Sequence, residues 1–223
     1  MPDHEPLLPL SDSQREALEE ATASYAAAVT PEAARFLLAR GIDRSVANTF
    51  RVGSVSESPF PGHSRFRGFV SIPYLDREGA PLSMRFRCIQ EHDHRAHGHG
   101  KYMSMSHEPM RVFNVRGIHM ADNTIHIAEG EFDTMILAKV FGGASAGFPG
   151  ASSWRPHHRR MLAGFNRVFV WADPDDAGAD FTQRVCRQVR QAKGVRLTDG
   201  DVTDTYLKGG ADALTSLIEK EVG

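Results

Sequence analysis

Up to Phe50 the chain is written in strong helix formers punctuated by capping residues. Ser11 or Asp12 caps a helix through D-S-Q-R-E-A-L-E-E-A-T-A-S-Y-A-A-A-V. Thr30 caps a second helix with Pro31 in its first position and Gly41 closing it, and Asp43 opens a short third one, R-S-V-A-N-T-F. Together they predict a small helical subdomain. From Phe50 the pattern turns β-rich: R-V-G-S-V, then R-G-F-V-S-I-P-Y-L-D and P-L-S-M-R-F-R-C-I, with Asp76–Gly79 between them as a hairpin turn. After a polar stretch, G-K-Y-M-S-M-S puts Lys101 and Tyr102 back on ordered structure. From Ile125 the rhythm becomes strand then helix. T-I-H-I-A-E leads into F-D-T-M-I-L-A-K-V-F, and R-V-F-V-W-A-D into a helix from Ala177 to Ala192, followed by a strand V-R-L-T. This alternation predicts a parallel sheet with helices on both faces. The fold class is therefore α/β, with a parallel sheet in residues 121–223 preceded by a small α+β subdomain in 1–120.

A chain of 223 residues that is 41% hydrophobic can bury a full core. Its two cysteines, Cys88 and Cys186, stand far apart without C-x-x-C spacing, so neither a disulfide framework nor a zinc ribbon is expected. A reducing cytoplasm is the expected location. The amino end lacks a basic stretch followed by an apolar core, and no membrane association is expected. Net charge is −2, but it is unevenly placed: residues 1–62 carry 5 basic and 9 acidic side chains, and residues 63–119 carry 9 basic and 5 acidic. A polyanion can lie on that basic middle third. Residues 91–100, E-H-D-H-R-A-H-G-H-G, hold His92, His94, His97 and His99. Alternating histidines can face one soft metal ion, but nothing apolar in the segment fixes the rings, so a mobile, solvated loop is the favoured reading.

Acids mark the ends of the later strands. Glu129 follows the first strand and Asp133 lies about one turn into the next helix. Asp173 and Asp175 follow V-F-V-W-A, and Asp201 and Asp204 sit in D-V-T-D. Ligands bind beyond the carboxyl ends of strands in such sheets, and clustered carboxylates there call for divalent metal. By strand alternation Asp173 and Asp175 point the same way, leaving Asp176 to cap the following helix. Gly130 leaves backbone room at the site, and Gly178 permits close approach of the helix after Asp175. Asp133 has two roles open to it, metal contact or complementing a helix N-terminus.

In order and separation these motifs resemble the TOPRIM domain of bacterial-type primases, topoisomerases and some nucleases. The matching positions are Glu129, Asp173, Asp175 and one of the last pair, Asp204 being favoured over Asp201. Upstream, A-R-F-L-L-A-R-G-I-D-R-S-V-A-N-T-F-R-V-G, the hairpin F-R-G-F-V-S-I-P-Y-L-D-R-E-G-A-P-L-S-M-R-F-R-C-I and G-K-Y-M-S-M-S are similar to the DnaG-like primase polymerase core. The resemblance implies a template-dependent RNA primer synthase holding two or more Mg²⁺ or Mn²⁺ ions at Glu129, Asp173, Asp175 and Asp204, with Asp133 as a further candidate ligand; no zinc is expected, because the cysteines leave no zinc ribbon. It also implies a groove in which Arg67, Arg87 and Lys101, with Arg85 as helper, hold single-stranded DNA template and ribonucleoside triphosphates. Tyr102 either stacks on a base or is structural.

The chain departs from that pattern. The zinc ribbon and the helicase-binding region of cellular primases are expected to be missing. Phe69 stands where relatives carry an arginine, and the last acid motif reads D-V-T-D. A phage or plasmid replication gene suits such a reduced core, with a replicative helicase or a separate zinc-domain protein as partner. A TOPRIM nuclease and a non-catalytic nucleic-acid-binding module are the alternatives. A topoisomerase is disfavoured, because four tyrosines in all leave few candidate nucleophiles.

Overall fold

The computed structural model describes residues 9–55, 60–150, 153–198 and 200–222. Residues 1–8, on which the reading of the amino end partly rests, lie outside them. Two four-stranded sheets organise the chain. The first is antiparallel and follows chain order: β1 (Gly53–Ser54), β2 (Val70–Leu75), β3 (Pro81–Arg87), β4 (Tyr102–Ser104). The β2–β3 turn is the expected hairpin, and the Asp76 carboxylate accepts the backbone N–H groups of Glu78 and Ala80 there. The second sheet is parallel, in the order β6 (Ser145–Gly147), β5 (Thr124–Ala128), β7 (Arg167–Trp171), β8 (Ala192–Val195).

Each capped segment of the first fifty residues is a helix. Ser11 caps α1 (Asp12–Ala27) through a capping box with Gln14, Thr30 caps α2 (Pro31–Leu38), and Asp43 caps α3 (Arg44–Thr49). They do not form a subdomain of their own. The buried face of α1, at Ala21 and Tyr25, packs with Val55, Phe66, Met84 and Phe86 of the antiparallel half. Ala33, Leu37, Val46 and Ala47 of α2 and α3 share a core with Phe132, Met135 and Ile136 of α5 (Glu131–Val140) and with Trp171. Helices this short, with narrow apolar faces, bury more surface on neighbouring sheets and helices than on one another.

Strand β7 shows why the parallel sheet reads as an unbroken apolar run. Phe169 and Trp171 face the core that holds α5, while Val168 and Val170 face Phe181 and Val185 of α7 (Asp176–Gln188). Both faces are covered, so both alternating sets are apolar. In chain order α4 (Val115–Met120) follows β4, and α6 (Arg159–Leu162) precedes β7. Two boundaries differ from the sequence reading. Helix α7 ends at Gln188 rather than Ala192, and β8 is Ala192–Val195 rather than V-R-L-T. Pairing of Val168–Trp171 with Ala192–Val195 fixes this register, and an edge strand tolerates Lys193 and Gly194. The final helix α8 (Val202–Val222) starts within D-V-T-D and kinks at Gly210, where φ is 66°. No helix among the described residues is long and apolar enough to cross a membrane.

Candidate active site

Strand order reverses between β5 and β7, which pair from Thr124↔Arg167 to Ala128↔Trp171. A crevice opens beyond their carboxyl ends, where loops leave in opposite directions. Glu129 follows β5 directly and Asp173 stands two residues past β7. Asp133 lies in the first turn of α5, and Asp201 immediately precedes α8. One carboxylate oxygen from each of Asp133, Asp173 and Asp201 lies within 4.8 Å of the others.

The local structure explains the convergence. The Asp201 carboxylate accepts the backbone N–H of Asp204 at 2.7 Å, an N-cap bond, so Asp204 sits in the first helical turn and not in a loop. The Thr203 N–H and hydroxyl both donate to Asp133 Oδ1, at 3.1 and 2.8 Å, tying the start of α8 to the start of α5. The room left by Gly130 is taken by a carboxylate: a Cβ there would lie 2.7 Å from Asp133 Oδ2. A Cβ on Gly178 would lie 2.1 Å from the Asp173 carbonyl oxygen, so the close approach of α7 needs glycine. The helix cap differs from expectation, because Asp175 caps α7 by accepting the Gly178 N–H at 2.8 Å, while Asp176 is the first helical residue. Asp173 and Asp175 lie beyond the end of β7, where strand alternation no longer applies.

Like charges held together resist ionisation. Burial, with Asp173 and Asp175 nearby, raises the Glu129 carboxyl to about 7, and burial with Asp201 nearby raises Asp133 to about 7. Asp173 is also pushed up, by burial and then by Asp201, Asp175 and Asp204. Glu129 Oε1 is buried and has no hydrogen-bond partner among the described residues. An all-oxygen donor set with an orphaned carboxylate oxygen and mutual repulsion fits a hard divalent cation.

Across a cleft of about 350 Å³ the acids face Arg40, Arg85, Arg87, Lys101 and Tyr102. Lys101 is exposed, and its ammonium is pushed down by partial burial and by Arg87 and Arg40, while Asp201 and Asp173 hold it up. Arg87 is buried, stacks its guanidinium 5.0 Å from the Tyr102 ring and donates to the Cys88 carbonyl. Arg85 also covers Tyr102, at 4.7 Å, and pairs at 2.6 Å with Glu131, which accepts the Tyr74 hydroxyl as well. Two guanidinium groups thus cover Tyr102 within the wall. Arg67 is exposed and lies outside the residues lining the cleft.

Two participants were not singled out from the sequence. Arg40 lines the cleft with its guanidinium 4.0 Å from the Phe36 ring. Glu131 is 2% exposed and anchors Arg85. An acid flanked by Glu129 and Asp133 and opening a helix was the available signal.

No protein-family model matches the chain. Over 158 residues it is 30% identical to the Gene 57 protein of Mycobacterium phage D29, covering 69% of this chain and 99% of that one. The chain belongs to the family of that phage protein. Its fold is that of the DnaG primase catalytic core. The Aquifex aeolicus primase, solved with its zinc-binding and RNA polymerase domains, superposes with a TM-score of 0.75 at 19% identity over 95% of this chain. The chain spans 62% of that Aquifex protein. The RNA polymerase domain of Mycobacterium tuberculosis DnaG gives 0.75 at 20% identity, over 94% of this chain and 84% of that one. A DnaG catalytic domain solved bound to single-stranded DNA gives 0.74 at 18%, over 92% and 78%.

Proposed function

We propose that this chain is a primase catalytic core that synthesises short RNA primers on single-stranded DNA. The observation that carries the reading is the cleft, with Asp133, Asp173 and Asp201 on one wall facing Arg40, Arg87 and Lys101 on the other. The fold it shares with DnaG cores and its phage relative add support.

In this reading Asp133, Asp173 and Asp201, with Glu129 beside them, hold two or more Mg²⁺ or Mn²⁺ ions, and Asp175 and Asp204 contribute charge from the rim. When bound, the cations supply activation of the primer 3′ hydroxyl and neutralisation of the departing pyrophosphate. The protein's own side chains do the positioning. Thr203 fixes one oxygen of Asp133, and the other lies beside Gly130 in the lining of the cleft. Lys101, Arg87 and Arg40 receive the triphosphate of an incoming ribonucleotide and the template phosphates, contacts that need no base sequence. Tyr102 holds the guanidinium planes of Arg85 and Arg87 in place, and Glu131 holds Arg85. Arg67 extends the template path outside the cleft.

Incubation with single-stranded DNA, labelled ribonucleotides and Mn²⁺ or Mg²⁺, beside Asp173→Ala, tests the reading. Short RNA products made by the native chain and absent from the variant are expected. Degradation of the DNA in place of synthesis identifies a nuclease and overturns the proposal.

A further inference from the structure

The fourteen-residue connection from Cys88 to Lys101 joins β3 to β4, and it is folded rather than loose. The Asp93 carboxylate accepts the N–H groups of Arg95 and Ala96, the Asp93 carbonyl accepts that of His97, and the His94 carbonyl accepts that of His99. These turns bring the imidazoles together. Ring centroids of His92 and His94 lie 4.7 Å apart, those of His92 and His99 5.1 Å, and those of His94 and His99 5.3 Å. Phe69 touches His99 at 5.4 Å, giving the cluster an apolar floor that the loop sequence does not contain. Cys88 is buried beneath the rings, with its Sγ 3.8 Å from His92 Nε2.

One ligand atom from each of Cys88, His92, His94 and His99 lies within 4.8 Å of every other. His99 Nδ1 lies 3.0 Å from the Gly100 carbonyl, which can only accept, so Nδ1 carries the proton and Nε2 keeps its lone pair. His94 Nδ1 is buried without a hydrogen-bond partner among the described residues. His97 is different: its Nδ1 donates to the Asp93 carbonyl at 2.9 Å, and its ring stacks on His92 at 4.2 Å outside the group of four. In a tetrahedral zinc site, metal–ligand bonds of about 2.0–2.3 Å place donor atoms roughly 3.3–3.7 Å apart. The Cys88–His92 pair, at 3.8 Å, is already close to that spacing, and ring rotation within the loop closes the longer ones.

We infer that Cys88, His92, His94 and His99 form a tetrahedral zinc site. One thiolate with three imidazoles is a donor set for a soft or borderline cation, distinct from the all-oxygen set of the cleft. The expectation of a zinc-free chain rested on the cysteine count and spacing and on reading the histidine loop as mobile, and histidines supply three of the four ligands here. A bound ion would fix the connection whose two ends carry Arg87 and Lys101, setting the basic wall of the cleft. The site stands whether or not the primase reading does, since none of its ligands touches the acids.

The test uses the untagged full chain, because a polyhistidine tag would bind the probe. Elemental analysis is expected to find one zinc per chain. Cobalt(II) added to chelator-treated protein is expected to give the intense visible absorption of tetrahedral coordination, together with a thiolate charge-transfer band. Cys88→Ser should remove that band, and His94→Ala, on the exposed loop, should weaken zinc affinity by about 10- to 100-fold or more. His97→Ala and Asp173→Asn should keep one equivalent. Should Cys88→Ser fail to fold, the native cobalt spectrum and His94→Ala decide. Substoichiometric zinc with octahedral cobalt, or equal loss in His97→Ala and His94→Ala, overturns the inference.

Discussion

The two ligand clusters of this chain are built on opposite principles. Asp133, Asp173 and Asp201 are like charges drawn together by backbone geometry at a sheet's switch point, and burial, with the neighbouring carboxylates, raises the proton affinities of Asp133 and Asp173. Cys88, His92, His94 and His99 are one thiol and three imidazoles, groups that are uncharged with a single proton each, with the rings packed against one another on a folded loop. The acids are held by rigid elements, namely a helix cap, a first helical turn and a strand end. The rings are held by one loop's turns together with Cys88 and Phe69 from outside it. The difference teaches where a cation's absence would be felt: as charge repulsion in the cleft, and as lost order in the loop.

The largest break in that comparison comes from neutralising one acid. Asp201→Asn keeps an oxygen for the Asp204 N–H yet removes a ligand charge, so primer synthesis should fall by roughly 100-fold or more with thermal stability nearly unchanged. Asp204→Asn should stay within about threefold, as the exposed acid outside the close group. The opposite ranking in steady-state assays would hand the ligand role to Asp204. Next in size is the buried anchor. Glu131→Ala leaves Arg85 and the Tyr74 hydroxyl without their partner, and urea denaturation should show a loss of about 2–3 kcal/mol. Lys101→Ala, on the basic wall, should weaken single-strand binding by about tenfold, equivalent to about 1.4 kcal/mol. Its binding should also respond less steeply to salt than that of the native chain. No change in the salt slope would remove Lys101 from the phosphate path.

The smallest effect has the most specific sign. Glu129 and Asp133 are raised to about 7 in the folded chain from 4.5 and 3.8. Between those values the native state keeps protons that the unfolded chain has lost. In the metal-free protein the contribution of these two acids to stability is therefore fully present below about pH 4, and it should be lost as pH rises through 7. Saturating Mg²⁺ should flatten that decline, and Glu129→Gln should shrink it while abolishing turnover. Stability that rises between pH 5 and 8 without metal would contradict the repulsion.

Much of this was legible in the residues. The caps at Ser11, Thr30 and Asp43 and the Asp76 turn are local chemistry, and all appear where the sequence puts them. Parallel strands declared themselves because both faces of β7 are apolar. Tertiary choices were not legible. Which sheet each early helix would cover depends on competing apolar faces, and the Asp175 cap depends on where β7 stops. Glu131 was hidden because its partner Arg85 lies 46 residues away on another sheet. The histidine loop was misjudged because its fixing groups, Cys88 and Phe69, lie outside it.

Anomalous diffraction from crystals soaked in Mn²⁺ tests the central claim most directly. The account predicts manganese peaks between Asp133, Asp173 and Asp201, with Glu129 at their edge and Lys101 across the cleft. Peaks confined to other sites, with those carboxylates binding none, would contradict it.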